Sequence, residues 1–289
     1  MAMDGPGGLD GLGAVVDLDR YPIHERDGRA HDRLIERCRD ELASDGCCVL
    51  EGFITPASVA RVLAEAERLA PRAHRSEARH NPYFSDDDPT LPETHPRRLF
   101  QTRSNGFVCG DLIEPDSDLR RFFDHPATTA FVTEAFGKDV LFQYADPLAA
   151  MPINAMRPGD QFPWHFDTNE FTVTIVVQPA EEGGVFQYAP NIRSTVDERP
   201  EAVAAVLAGG REGVKDLKLE PGDIQLFMGR FTLHRVTRVE GRRNRYVAIP
   251  SWANQPGMVG QPRRTLDIYG RLTELHRQQE TARADGLLD

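Results

Sequence analysis

The sequence predicts a mainly β protein with flanking helices, arranged as a double-sheet jelly roll. Three observations carry this. After Lys138 the chain breaks into seven or eight short runs of strand length, clusters of turn residues separate them, and helical spacing dominates the first half. In chain order, Leu34, Ile35, Cys38 and Leu42 recur at three- and four-residue spacing, and so do Val59, Val62, Leu63, Ala66 and Leu69. Two helices are therefore expected between residues 28 and 70. Thr55 followed by Pro56 supplies an N-cap and a first-turn proline for the second of them, and the apolar run at 47–50 between them reads as a strand. Residues 71–115 are polar and irregular, with Pro82, Pro89, Pro92, Pro96 and the run Asp86-Asp87-Asp88. A stretch that long is expected to be a functional loop or lid. A helix is expected over 127–136, ending at Gly137. Strands are expected at 140–146, 149–156, 171–178, 184–188, 223–227, 233–239 and 246–252. Between them stand Arg157-Pro158-Gly159-Asp160, Glu181-Glu182-Gly183-Gly184, Glu220-Pro221-Gly222-Asp223 and Glu240-Gly241. A helical insert over 198–208 closes at Gly209-Gly210, and 271–283 reads as a polar amphipathic helix.

This gives a flexible N-terminus (1–13) and one domain (14–289). The domain comprises a helical part (14–137) containing the lid (71–115), a jelly-roll core (138–255) and a C-terminal helix (256–289). The 289 residues carry 34 Lys+Arg against 45 Asp+Glu, a formal charge of −11. That excess of negative charge disfavours nucleic acid and anionic membrane surfaces as partners. No window has the roughly 20 apolar residues of a membrane helix, and MAMDGPGGLDGLG lacks the basic and apolar regions of an export signal. Cys38, Cys47, Cys48 and Cys109 show no C-x-x-C spacing and are expected as reduced, buried thiols, so a cytoplasmic location is expected. An acidic chain of this size is often a homodimer.

Three places in the strand-rich half carry chemistry. Trp164-His165-Phe166-Asp167 sets an imidazole and a carboxylate two residues apart, on one face if the chain is extended. Leu233-His234-Arg235-Val236 places a second histidine 69 positions (165 to 234) downstream, and Arg245 follows it at the start of an apolar strand. Taken singly, each has a plainer reading: a chance H-x-D, a core histidine, and a solvated turn charge in Arg242-Arg243-Asn244-Arg245. Their joint order, interleaved with the turns above, is what points to a site. Two histidines and one carboxylate on a rigid sheet form the facial triad of non-haem Fe(II), with three adjacent positions left open. Two of these suit a bidentate 2-oxo acid, whose distal carboxylate needs a buried guanidinium; Arg245 stands at the right point in the chain. Asp86-Asp87-Asp88 lacks the alternating ligands and glycine of a calcium loop and reads as a solvated turn.

Pro221-Gly222-Asp223, His234-Arg235-Val236 and Gly241 leading to Arg245-Tyr246 resemble the C-terminal half of Fe(II)/2-oxoglutarate-dependent oxygenases, over roughly residues 140–252. The string Pro163-Trp164-His165-Phe166-Asp167-Thr168-Asn169-Glu170-Phe171 more specifically resembles the free-standing amino-acid halogenase and hydroxylase (BesD-like) branch. The resemblance implies a double-stranded β-helix of cupin-like form. Fe(II) would sit on His165, Asp167 and His234, 2-oxoglutarate would pair with Arg245, and O2 would be consumed, with ascorbate as a reductant. Halogenases of that branch carry a small residue where this chain has Asp167, so the resemblance implies hydroxylation of an unactivated C–H bond; desaturation or cyclisation are other outcomes of the same ligand set. It also places Arg103 at the substrate carboxylate and Thr168 and Ser251 in the substrate pocket, while Glu170 beside the metal strand is a further candidate. The acid that lysine-acting members use for the side-chain amine has no counterpart here. The expected substrate is a free amino acid or a small amino-acid-like metabolite. The alternatives are a prolyl-hydroxylase-like enzyme acting on a peptide or protein, a cupin-type metal-binding module, and a non-enzymatic interaction protein.

Overall fold

The computed structural model describes residues 9–278. In chain order its helices are α1 (Leu9–Gly13), α2 (Arg29–Asp45), α3 (Pro56–Leu69), α4 (Asp118–Asp124), α5 (Pro126–Ala135), α6 (Pro200–Leu207), α7 (Pro262–Tyr269) and α8 (Glu274–Gln278). The strands are β1 (Cys47–Leu50), β2 (His74–His80), β3 (Gln101–Val108), β4 (Phe142–Gln143), β5 (Ile153–Met156), β6 (Phe162–His165), β7 (Thr172–Gln178), β8 (Glu182–Gly183), β9 (Phe186–Ala189), β10 (Lys215–Leu217), β11 (Ile224–Phe227), β12 (Leu233–Val236), β13 (Val239–Glu240), β14 (Arg245–Ala248) and β15 (Trp252–Ala253). A seven-stranded sheet runs β1-β11-β7-β14-β5-β3-β2 and a four-stranded sheet runs β10-β9-β12-β6. Their pairings are antiparallel, giving the expected double-sheet jelly roll.

Alternation of side chains divides the large sheet into two jobs. Val173, Ile175, Val177, Ile224, Leu226, Tyr246 and Ala248 face outward, into one apolar cluster with Leu34, Ile35 and Cys38 of α2, Val62 and Ala66 of α3, and Phe122 and Phe131 of α4 and α5. The intervening positions Thr172, Thr174, Gln225, Arg245 and Val247 border a cavity between the sheets. The helices form where the three- and four-residue spacing predicts, because that spacing gives each an apolar stripe for the outer face. Thr55 caps α3 by accepting from Ser58 N (3.3 Å). The small sheet repeats the division: Trp164, Phe166 and Leu233 pack outward with Val203 and Val206 of α6, leaving the rings of His165 and His234 inside.

The structure corrects several expectations. Residues 71–115 are not irregular throughout: β2 and β3 pair along their whole length, from His74↔Phe107 to His80↔Gln101. The pairing hides in the sequence because the buried positions of β3 include Arg103 and Asn105, and the four prolines all fall in the connection after β2 or in the short turn before β3. Residues 9–13 are helical and Leu12 is fully buried; residues 1–8 of the expected flexible N-terminus lie outside the described residues. The C-terminal region is two short helices, α7 and α8, not one. Gly270, at φ 73, ends α7 in the left-handed region. The rest of that expected helix lies outside the described residues. All four cysteines are free and buried.

Candidate metal centre and anion site

His165 ends β6, Asp167 follows two residues on, and His234 lies in β12 directly opposite His165 in the ladder. The register slips between His234 and Val236, so two residues of β12 span three of β6. This bulge turns the rings of Phe162 and His165 to the same side, stacked at 3.9 Å between centroids and 6° between planes. One ligand atom from each of His165, Asp167 and His234 lies within 4.8 Å of the others, the only such cluster of three among the described residues.

The hydrogen bonds around these side chains set their chemistry. His165 Nδ1 donates to the carbonyl of Pro163 (2.8 Å) and His234 Nδ1 to that of Thr232 (3.0 Å). Both Nε2 lone pairs are thereby left for the interior, as in metal-binding histidines. Asp167 Oδ2 accepts from Thr172 Oγ1 (2.6 Å), and Oδ1 faces His165 Nε2 (3.8 Å) and His234 Nε2 (3.5 Å). One carboxylate oxygen is fixed and the other is free to ligate. Asp167 N donates to Gly229 O (3.0 Å), and a Cβ at Gly229 would run into the carboxylate of Asp167. Burial, reinforced by His234, pushes the His165 imidazolium well below its usual range. Burial would raise Asp167, but His234 and His165 hold it below the ordinary carboxylate value. Both shifts favour the deprotonated forms a metal requires.

Arg245 begins β14 and points into the same cavity, 8% exposed. Among the described residues its one side-chain contact of hydrogen-bond type is Nη1 to Met156 Sδ (3.9 Å), and burial alone drives its pKa from 12.5 down to about 10. A buried cation with only a thioether beside it is a site for an anion. The cavity, about 640 Å³, is also bordered by Thr168, Asn169 and Ser251.

Other expected residues fall differently. Arg103 is buried; its Nη1 donates to Asn105 Oδ1 (3.0 Å) and its Nη2 to Ser76 Oγ (2.9 Å), and its guanidinium lies over Phe162, 5.7 Å from the ring centroid. It stands behind Phe162, which borders the cavity. Glu170 does not border the cavity; it is paired with Lys138 (2.6 Å), an attraction that draws the carboxylate sideways. The cover over the cavity is not the expected 71–115 segment, which contributes only Phe107. It comes from residues 255–278, including Met258, Gln261, Arg264, Ile268, Tyr269 and Gln278. This cover is fastened by a buried pair: His276 Nε2 donates to Asp146 Oδ2 (2.8 Å), while its Nδ1 accepts from Thr273 N (3.1 Å). Sequence reasoning missed Thr172, whose place opposite outward-facing Val173 and Ile175 was readable from alternation. It also missed Gly229, which carries no local signal.

Fold and triad define an Fe(II)/2-oxoglutarate-dependent oxygenase. Residues 30–263 match the Halogenase D family profile, and the chain belongs to that family. Among solved structures the chain is similar to AviO1 from Streptomyces viridochromogenes Tue57, at 18% identity and a TM-score of 0.53, covering 80% of this chain and 97% of that one. It is also similar to the epimerase SnoN in complex with Fe3+, alpha-ketoglutarate and nogalamycin RO (18%, TM-score 0.51, 75% and 83% covered). A third is a Trichoplax adhaerens prolyl hydroxylase bound to a hypoxia inducible factor peptide (13%, TM-score 0.50, 75% and 88% covered). These likenesses establish the jelly-roll architecture. No curated protein matches the chain. No helix among the described residues is long and apolar enough to cross a membrane.

Proposed function

We propose that the protein hydroxylates an unactivated C–H bond of a free amino acid or a small amino-acid-like metabolite. The observation that carries this reading is Asp167: its Oδ1 faces both Nε2 atoms, so a carboxylate fills the position a halogenase of the resembled branch leaves open for chloride. His165, Asp167 and His234 would hold Fe(II), and Arg245 would take the distal carboxylate of 2-oxoglutarate. With O2 these supply the oxidising power: 2-oxoglutarate, O2 and R–H give succinate, CO2 and R–OH. The chain's own groups do the rest. The two backbone carbonyls on the Nδ1 atoms and Thr172 on Asp167 fix the ligands. The 255–278 cover excludes water, and Thr168 and Ser251 stand where they can orient the substrate, with Arg103 behind Phe162 as the candidate for its carboxylate.

Two features support a small substrate. The cavity is walled on one side by α7 and its flanks, which narrows the opening available to an extended peptide. Among the described residues Asp167 is the one acid bordering it, beside Arg245 and Arg264, so a cationic side chain such as that of lysine meets no second carboxylate there. The test is a screen of amino acids for stimulated succinate release from 2-oxoglutarate under Fe(II) and air, with product mass read in parallel. A gain of one oxygen is expected, and loss of two hydrogens would signal desaturation or ring closure. If an iron- and 2-oxoglutarate-loaded protein is stimulated by none of them, the substrate reading fails.

A further inference from the structure

The hairpin of β2 and β3 carries a row of buried polar groups, of which the proposed function uses only Arg103. Cross-strand partners share a face, and the register sets Ser76 opposite Asn105, Ala78 opposite Arg103 and His80 opposite Gln101. These residues therefore line one face, which continues to Phe107 at the cavity.

On that face the unsatisfied atoms are sorted by type. Asn105 is 1% exposed; its Oδ1 accepts from Arg103, which fixes the amide, and its Nδ2 has nothing to donate to. Asn105 Nδ2, beside the hydrogen-bonded Arg103, is thus the donor end. His80 is 7% exposed; its Nδ1 donates to the carbonyl of Asn81 (3.0 Å), so its Nε2 is a lone-pair acceptor, and that atom has no partner. Gln101 Oε1, beside it, is likewise without a donor. His80 and Gln101 form an acceptor end. The His80 ring stands edge-on to the ligand His165, 6.4 Å between centroids. Buried donors and acceptors left unmatched each carry a cost, so a sorted row of them calls for a ligand of the opposite pattern.

The row is covered by one strained side chain. Phe84 stacks on His80 at 4.2 Å, with the guanidinium of Arg264 from α7 3.8 Å above the Phe84 ring. Phe84 sits at φ 55, a conformation a bulky residue seldom adopts. It is held there by Asn81, whose Oδ1 accepts from the backbone N–H groups of Tyr83 and Ser85 on either side.

We infer that His80 and Asn105 complete the receptor for the α-amino acid head whose carboxylate the proposed function gives to Arg103: Asn105 Nδ2 donates to that carboxylate, His80 Nε2 accepts from the amine, and Phe84 swings aside to admit it. The inference rests on the amino-acid reading and names the groups that tell an amino acid from a simple carboxylic acid. His80 is then a specificity residue beside the metal centre rather than a ligand of it.

The experiment compares the best-stimulating amino acid of the screen with the same carbon skeleton bearing hydrogen in place of the amine, for the native chain, His80→Phe and His80→Gln. Stimulated 2-oxoglutarate turnover is the readout. Phenylalanine keeps the stack on Phe84 and deletes the acceptor; glutamine restores a side-chain oxygen. The native chain should prefer the amine-bearing compound about tenfold to a hundredfold in kcat/KM. His80→Phe should bring that ratio to within about twofold of one by raising KM for the amino acid, with KM for 2-oxoglutarate unchanged, and His80→Gln should recover most of it. His80→Leu serves if His80→Phe does not fold. A preference that survives deletion of the acceptor, or a native chain with no preference, overturns the role of His80 and leaves the amino-acid reading standing. Failure of every amino acid to stimulate the native chain overturns both.

Discussion

Arg245→Met separates two consequences of one buried guanidinium. In the free protein the charge sits 8% exposed against a thioether. A pKa lowered from 12.5 to about 10 corresponds to about 3 kcal/mol disfavouring the charged folded form. Because the folded value lies below the unfolded one, the full penalty applies at every pH below about 10 and fades between about 10 and 12.5, where the folded form sheds its proton first. Methionine keeps an unbranched chain in the same space and removes the charge. The ligand-free variant should therefore be more stable by up to about 3 kcal/mol, a rise of several degrees in Tm for a chain this long. Its hold on 2-oxoglutarate should fall by about 2–5 kcal/mol, or about thirtyfold to several thousandfold, because the distal carboxylate loses a charge-assisted partner in a dry site. Thermal unfolding by circular dichroism reads the first effect. An anaerobic titration of the Fe(II)-loaded protein with 2-oxoglutarate, followed by its charge-transfer absorbance, reads the second. A variant that is less stable than its parent while binding 2-oxoglutarate within threefold of it would refute the reasoning and move the anion site elsewhere.

Four further substitutions address the metal centre. His165→Ala or His234→Ala should abolish Fe(II) retention through gel filtration while leaving the unfolding midpoint within a few degrees, since both rings face the cavity; normal turnover by either variant would disprove the assignment. Gly229→Ala should weaken metal binding at least about tenfold in a chelator competition, because the new methyl displaces the carboxylate of Asp167. An affinity within twofold of the parent would show that the turn yields instead. Asp167→Gly should cost most of the turnover even in chloride. Chlorinated product by mass spectrometry, with turnover retained, would show that an open third position is enough to redirect the reaction.

The parts of the molecule legible in the sequence are those where polarity and position agree. Val173, Ile175 and Val177 alternate with Thr172 and Thr174, so the strand and its cavity face are both visible; His165, Asp167, His234 and Arg245 stand out because their spacing fits the turns between strands. The hairpin of β2 and β3 was illegible for the opposite reason. Arg103, Asn105 and His80 are polar groups in buried positions, and Gln101-Thr102-Arg103-Ser104-Asn105 has the texture of solvated loop. The ion pair of Glu170 with Lys138 joins residues 32 positions apart, and the cover over the cavity comes from a segment that follows the last strand and carries none of the expected site residues. Such long-range choices depend on the packed structure, which local pattern does not encode.

The Asp146–His276 pair has a bearing on the order in which the molecule comes into being. Every strand of both sheets has left the ribosome by Ala253, and with them His165, Asp167, His234 and Arg245. The chamber still lacks a ceiling at that stage, because Gln261, Arg264, Tyr269 and Gln278 follow. A nascent chain thus acquires the walls of the chamber first and its ceiling last, when His276 docks on Asp146.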